Sequence, residues 1–138
     1  MASSEKNDPK TCKDRVMRKV AERQLCSMMN DTKWKELQGA MATLPFPPPY
    51  QIKFVCEETA TPSTFDADVT FWGDWGNECL LPFYGIEWIL VRPRYARHRG
   101  KLVSDEIVDE TQEFVSVLAK FSIPYMEKDG AYIIYGYR

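Results

Sequence analysis

The chain has a single histidine, His98, among 138 residues. Histidine-assisted acid–base or nucleophilic catalysis therefore has only one position through which to pass. No serine or cysteine is linked to it by a recognisable motif, and its setting among cations reads as a surface loop. Four cysteines, Cys12, Cys26, Cys56 and Cys79, are widely separated. They form neither C-x-x-C nor another zinc-ligand spacing, so the expectation is reduced, mostly buried thiols. A P-loop, G-x-G-x-x-G and H-E-x-x-H are all missing, and no catalytic residue, cofactor or metal is assigned. No apolar run approaches the roughly 20 residues that cross a bilayer, and residues 1–25 hold no continuous apolar segment of the signal-peptide kind. The expectation is a soluble, cytoplasmic protein with no membrane association. Charge of either sign is not in large excess: the formal net charge of −2 predicts no global attraction to nucleic acid or anionic lipid.

What is present fits one globular domain, with 44% hydrophobic and 28% charged residues. Charge is unevenly placed. Residues 1–29 hold seven Lys/Arg against four Asp/Glu, and residues 30–138 hold eleven against sixteen. This break divides the chain into a basic N-terminal extension, 1–29, helical from about 13, and a single α+β domain, 30–138. The extension reads as an appendage to the core and as dispensable for folding.

Asn30, Asp31 and Thr32 are good helix starters, and Trp34, Leu37 and Met41 follow at helical spacing until Leu44-Pro45. Trp34 reads as a core anchor. The run Phe46-Pro47-Pro48-Pro49-Tyr50 lacks amide donors at its prolines and reads as a stiff structural strap. The period then changes to two, giving expected strands over 51–56, 64–72 and 86–95, the last buried on both faces at Trp88-Ile89-Leu90-Val91 and broken at Pro93. Ser104 is the expected N-cap of a long helix running to Phe121, with acidic residues early and Lys120 late. Asp129-Gly130 then signals a hairpin between 125–128 and 131–137. The expected fold is α+β, a small mainly antiparallel sheet packed against two helices, with an additional N-terminal helical extension.

Three local features bear on function. The first is the knot Phe71-Trp72-Gly73-Asp74-Trp75-Gly76, which suits a rigid core corner or, with Trp72 or Trp75 exposed beside Asp74, a partner-binding surface. The second is a set of carboxylates, Asp66, Asp68, Asp74 and Glu78, which reads as a solvated acidic face and alternatively as an oxygen-rich metal site for a divalent-metal-dependent hydrolase. The third is 92–101, where Arg92, Arg94, Arg97, Arg99 and Lys101 surround Tyr95 and His98 without an acidic residue, an anion-binding candidate for phosphate or RNA.

Thr32-Lys33-Trp34-Lys35-Glu36-Leu37, Phe46-Pro47-Pro48-Pro49, Gly73-Asp74-Trp75, Ile86-Glu87-Trp88, Ile123-Pro124-Tyr125 and Tyr135-Gly136-Tyr137 together resemble a family of small bacterial proteins classed as a domain of unknown function. The resemblance covers about residues 30–138. It implies a self-contained bacterial cytoplasmic domain that starts close to the Lys33–Leu37 segment, and it transfers no activity, cofactor or catalytic residue.

The function expected from these features is non-enzymatic binding of a protein partner, in its concrete form a bacterial immunity or antitoxin-like protein that occludes that partner. Trp72 and Trp75 would be apolar anchors, Asp74 a hydrogen-bonding contact, and Asp66 and Asp68 acidic complements to a basic enzyme. Nucleic acid bound through 92–101 is the alternative. The residues set no oligomeric state.

Overall fold

The computed structural model describes residues 9–138. Helix α1 (Pro9–Glu22) and helix α2 (Asp31–Met41) precede strand β1 (Tyr50–Phe54), a short helix α3 (Asn77–Leu80) and a 3-10 turn (Phe83–Gly85). Strands β2 (Ile86–Val91), β3 (Arg94–Arg97) and β4 (Glu106–Asp109), helix α4 (Thr111–Lys120), and strands β5 (Met126–Lys128) and β6 (Ala131–Tyr135) complete the chain. β1, β2, β6 and β5 form an antiparallel four-stranded sheet in that order, and β3 and β4 form a separate two-stranded ribbon. This is the α+β fold expected from the sequence.

Local chemistry explains most of the element ends. The Asn30 side chain accepts a hydrogen bond from the Lys33 amide at 2.8 Å and starts α2. Asp129 and Gly130 both have positive φ, 52° and 78°, as the two central residues of a hairpin turn matched to strand twist require. One sheet face is the core: Ile52, Ile89, Val91 and Ile134 pack with Trp34, Leu37 and Met41 of α2 and with Phe114 and Leu118 of α4. The Lys33 ammonium donates to the Phe121 carbonyl, tying the two covering helices together.

Several sequence expectations need correction. Residues 64–72 are not a strand. The outer edge of β1 receives only the Thr61 bridge to Ile52, after which the chain leaves the sheet and crosses β3, with the Ala96 amide donating to Val69 O at 2.7 Å. The expected 86–95 strand ends at Val91 and resumes beyond Pro93 as β3, in the other sheet. Trp88 and Leu90 are half-buried, so β2 is central in the sheet without being covered on both faces. The helix expected over 104–121 is only Thr111–Lys120: Ile107 and Val108 pair instead with Ala96 and Tyr95, and the Asp109 carboxylate, not Ser104, takes the first helical amide, that of Thr111, at 2.7 Å. The cysteines are free, but none is fully buried; Cys26 is exposed and the other three are half-buried.

The described part of the 1–29 segment is tied to the body. Helix α1 starts at Pro9 rather than about 13 and ends at Glu22. Val16 is buried against Val55 and Tyr137. Cys26 and Arg138 exchange backbone hydrogen bonds of 2.9 Å in both directions, and the Met28 amide donates to Gly136 O at 2.8 Å. Arg23 grips Glu87 with both terminal nitrogens, at 2.7 and 2.9 Å, and Lys53 reaches the same carboxylate at 2.8 Å. Bonding to Arg23, opposed by burial and supported by Lys53, holds the Glu87 carboxyl below its ordinary range.

Candidate functional site: an open sheet face and an aromatic edge

No helix covers the second face of the four-stranded sheet among the described residues. In β2 and β6, Trp88 lies directly opposite Tyr135, and Leu90 opposite Ile133; Gln51 and Met126 flank the second pair from β1 and β5. Directly opposed side chains on one face have Cβ atoms about 4.5–5.5 Å apart, so Trp88 and Tyr135 form an aromatic shelf. Residues 63–68 rise along one side as a wall, and Lys128 and Asp129 stand on the other. The enclosed trough has a volume of about 960 Å³, at the upper end for a small-molecule site.

Charge in the trough is partly committed. Arg94 Nε donates to Asp68 Oδ1 at 2.6 Å, and its fork lies over Gly130, where an added Cβ would come within 2.9 Å of Nη1. Arg92 is buried; its Nε donates to Phe65 O at 3.0 Å and its guanidinium lies 5.5 Å from the Phe65 ring. Asp66, Lys128 and Asp129 are exposed and have no ion-pair partner among the described residues. At the far end of the shelf the Arg138 guanidinium stands 5.1 Å from the Tyr135 ring.

The wall continues into the aromatic knot, which the structure divides in two. Trp75 is only 8% exposed, donates its indole N–H to Pro48 O at 2.9 Å and packs 4.5 Å from the Tyr50 ring. It is therefore a core residue and offers a partner no anchor. Gly73 is required here because its amide donates to Pro47 O at 3.0 Å and a Cβ would collide with Pro48 O. Asp74 is exposed; its side chain accepts from the Gly76 amide at 2.9 Å and its carbonyl from the Tyr50 hydroxyl, which burial pushes up from its ordinary pKa. Trp72, by contrast, is 54% exposed and its neighbour Phe71 49%. The Trp72 ring is held by Phe46, stacked at 6.4 Å, and Tyr95, edge-on at 5.9 Å; these two meet at 4.8 Å. Below them Glu110 is 1% exposed. Its Oε1 accepts from the Phe46 amide at 3.2 Å, while Oε2 has no partner among the described residues. Burial, joined by the nearby Glu113 and Asp109 charges, pushes its carboxyl up to about 7.

The basic 92–101 segment does not form one surface. Arg92 and Arg94 face the trough, whereas Arg97 pairs with Glu106, His98 Nδ1 lies 3.2 Å from Asp105, and Arg99 Nε donates to Ser104 O at 3.0 Å, all in the β3–β4 ribbon and its loop. Lys101 is exposed near the tip, beside a fully exposed Leu102. Nor do the carboxylates converge. Asp66 and Asp68 line the trough, Asp74 a separate hollow, and Glu78 a third, about 300 Å³, that α1 closes with Cys12, Cys56 and Cys79 on its walls. Among the described residues no group of three or more His, Cys, Asp or Glu side chains is placed to hold a metal ion. Trp88, Tyr135, Leu90, Ile133 and Lys128 are the residues that the sequence reading missed. For the first four the signal was there: apart from Glu87, both alternating faces of β2 and β6 are apolar.

The fold and these surfaces define a small α+β protein with a sheet face that no helix covers among the described residues. The chain belongs to a family of unknown function (DUF6678), which matches residues 16–138. The match begins at Val16, inside α1, and so takes in the Arg23 grip on Glu87, further toward the N-terminus than the expected start near 30. No curated protein and no solved structure matches the chain. Among the described residues no helix is long and apolar enough to cross a membrane.

Proposed function

We propose that this protein is a non-enzymatic protein-binding module whose contact surface is the aromatic edge of Phe71 and Trp72. The observation that carries the reading is the exposure of Trp72, 54%, on a ring that Phe46 and Tyr95 already hold in place. An anchor fixed before binding loses little side-chain freedom on association, and tryptophan is the residue type most enriched at binding hot spots. Asp74, exposed, lies next to this edge and supplies a charged rim. The finer form of the reading is a bacterial, cytoplasmic immunity or antitoxin-like protein that covers a basic enzyme. Its support is the acidic balance of residues 30–138, sixteen Asp/Glu against eleven Lys/Arg, together with class-level analogy to small acidic inhibitors.

The test compares wild type, Trp72→Ala and the surface control Lys35→Ala in affinity capture from host extract, after thermal melts show all three folded. A protein retained by wild type and the control and lost from Trp72→Ala supports the reading. Equal recovery by Trp72→Ala refutes it.

A further inference from the structure

The trough on the open sheet face is a different surface from the Trp72 edge, and its chemistry points to a different ligand. We propose that it binds a nucleotide unit: a nucleobase carrying an exocyclic amino group, stacked on Trp88, with its phosphate held by Lys128 and Arg92.

The floor argues for a flat ring. Trp88 and Tyr135 are cross-strand neighbours on the two central strands, so both side chains rise from the sheet rather than from a loop. Leu90 and Ile133 continue the floor beside them. Stacking on such a shelf is available to any base because every base has a π-face. The Arg138 guanidinium already stands 5.1 Å from the Tyr135 ring, leaving Trp88 as the half of the shelf with no cation over its ring among the described residues.

The rim argues for a ligand with an anionic end and a donor end. Asp68 and Arg94 satisfy each other at 2.6 Å. That leaves Lys128 and Arg92 as cations and Asp66 and Asp129 as carboxylates with no ion-pair partner among the described residues. Two cations match one phosphate. A carboxylate is an acceptor only, and in base recognition it takes the amino N–H of cytosine; adenine offers a similar amino group and thymine none. The volume of about 960 Å³ holds a nucleotide with room to spare. A long polyanion is less well matched to a protein of net charge −2, so affinity comes from the shelf and its rim and not from a general basic field.

The unit has two sources, a free mononucleotide or an exposed base in a single strand, and one experiment separates them. Fluorescein-labelled 12-mers of dC, dA and dT are titrated at low salt by anisotropy, and AMP and CMP are used as unlabelled competitors. The expected result is binding of dC and dA at least about fivefold tighter than dT, weakened about tenfold or more by Trp88→Ala, the loss typical of one stacked base. Trp88→Phe restores binding, Lys128→Gln weakens it and flattens its salt dependence, and Asp66→Asn removes the preference over dT while leaving the fold intact. Complete displacement by AMP or CMP identifies the free nucleotide as the ligand; a 12-mer at least about tenfold tighter than either identifies the strand.

Absence of binding by every probe overturns the proposal. So does binding that survives in a folded Trp88→Ala, or that is lost on replacing Arg97, Arg99 and Lys101 with alanine, which would move it to the β3–β4 loop. Capture of the probe by a peptide-like competitor of mixed charge, without base preference, assigns the trough to polypeptide instead. Trp72→Ala is the control: it leaves nucleotide binding unchanged whether or not the Trp72 edge binds protein.

Discussion

Glu110→Gln should stabilise the protein at alkaline pH and have only about a quarter of that effect at pH 5. The Glu110 carboxyl is buried to 1% exposure, has one amide donor, from Phe46, and leaves Oε2 unpartnered. Its pKa rises from 4.5 to about 7 in the folded state. A raised carboxyl pKa means that the folded state binds the proton more tightly than the unfolded chain. Stability therefore falls as pH climbs from about 4.5 to about 7 and stays at the lower level above that. At about 1.4 kcal/mol per pH unit, the gap amounts to as much as about 3 kcal/mol, part of which relaxation of the site will recover. Glutamine keeps the carbonyl that accepts from Phe46 and puts an uncharged group where the second oxygen lies, so it resembles the protonated acid at every pH. Glu87 and Asp109, whose carboxyls are held low, contribute stability that is lost only as pH falls through the acidic range, outside the pH 5–8 window. Urea unfolding at pH 5 and pH 8 is the assay. Wild type should lose about 1–3 kcal/mol between the two, and Glu110→Gln much less. A wild-type stability that is flat from pH 5 to 8, or a Glu110→Gln protein less stable than wild type at pH 8, would refute the reasoning.

Trp75→Ala removes a buried ring and its bond to Pro48 O, a loss of about 3–5 kcal/mol in chemical denaturation; Trp72→Ala, mostly exposed, should cost under about 1 kcal/mol, and the reverse order would contradict the division of the knot. Truncation to Met29 removes the buried Val16, the Arg23 grip on Glu87 and the backbone pairs to Gly136 and Arg138. It should lower stability by about 2–4 kcal/mol, and a truncated chain melting at the full-length temperature would show the segment to be an appendage after all. Gly136→Ala sets a Cβ against the Ile86 carbonyl, backbone in a central strand. A loss of about 2 kcal/mol or more is expected, and an unchanged melt would show that the strands are less tightly joined there.

The hairpin, α2 and the central position of β2 were legible because each is encoded within a few residues: Asp129-Gly130 for a turn with positive φ, Asn30 for a cap, an apolar run bounded at Pro93. The misread elements are those whose local pattern supports two structures. Residues 64–72 alternate like a strand, yet β1 offers an edge only as far as Thr61, and Asp68 and Val69 are taken by Arg94 and Ala96 across the fold. Residues 105–110 look like the acidic first turn of a helix, yet the partner strand β3 is only a loop away, and pairing of Ile107 and Val108 with it outweighs a weak helical preference. Of the candidate site, Trp72, Asp66 and Asp68 could be named from sequence. The trough could not, because it exists only where β1, β2 and β6 bring alternate residues to one face.

That misassigned strand is also why there is a surface to consider. Had residues 64–72 added a fifth strand beside β1, Asp66 and Asp68 would lie within the sheet, and no wall would stand over Gln51 and Leu90. As a loop, the same residues turn Phe65 inward beneath Arg92, bind Arg94 through Asp68, cross β3 at Val69 and end with Trp72 propped on Phe46 and Tyr95. One segment thus forms one side of the trough and carries the aromatic edge. Its fixed points are the Asp68–Arg94 pair, itself part of the trough, and the Val69–Ala96 hydrogen bond, which leads from the trough wall toward the Trp72 edge. Loosening them should disturb both: Arg94→Ala frees Asp68 and opens the wall. If the loop is the common support, that variant lowers nucleotide affinity and weakens capture through Trp72 together, whereas loss of one alone would show that each surface is held independently.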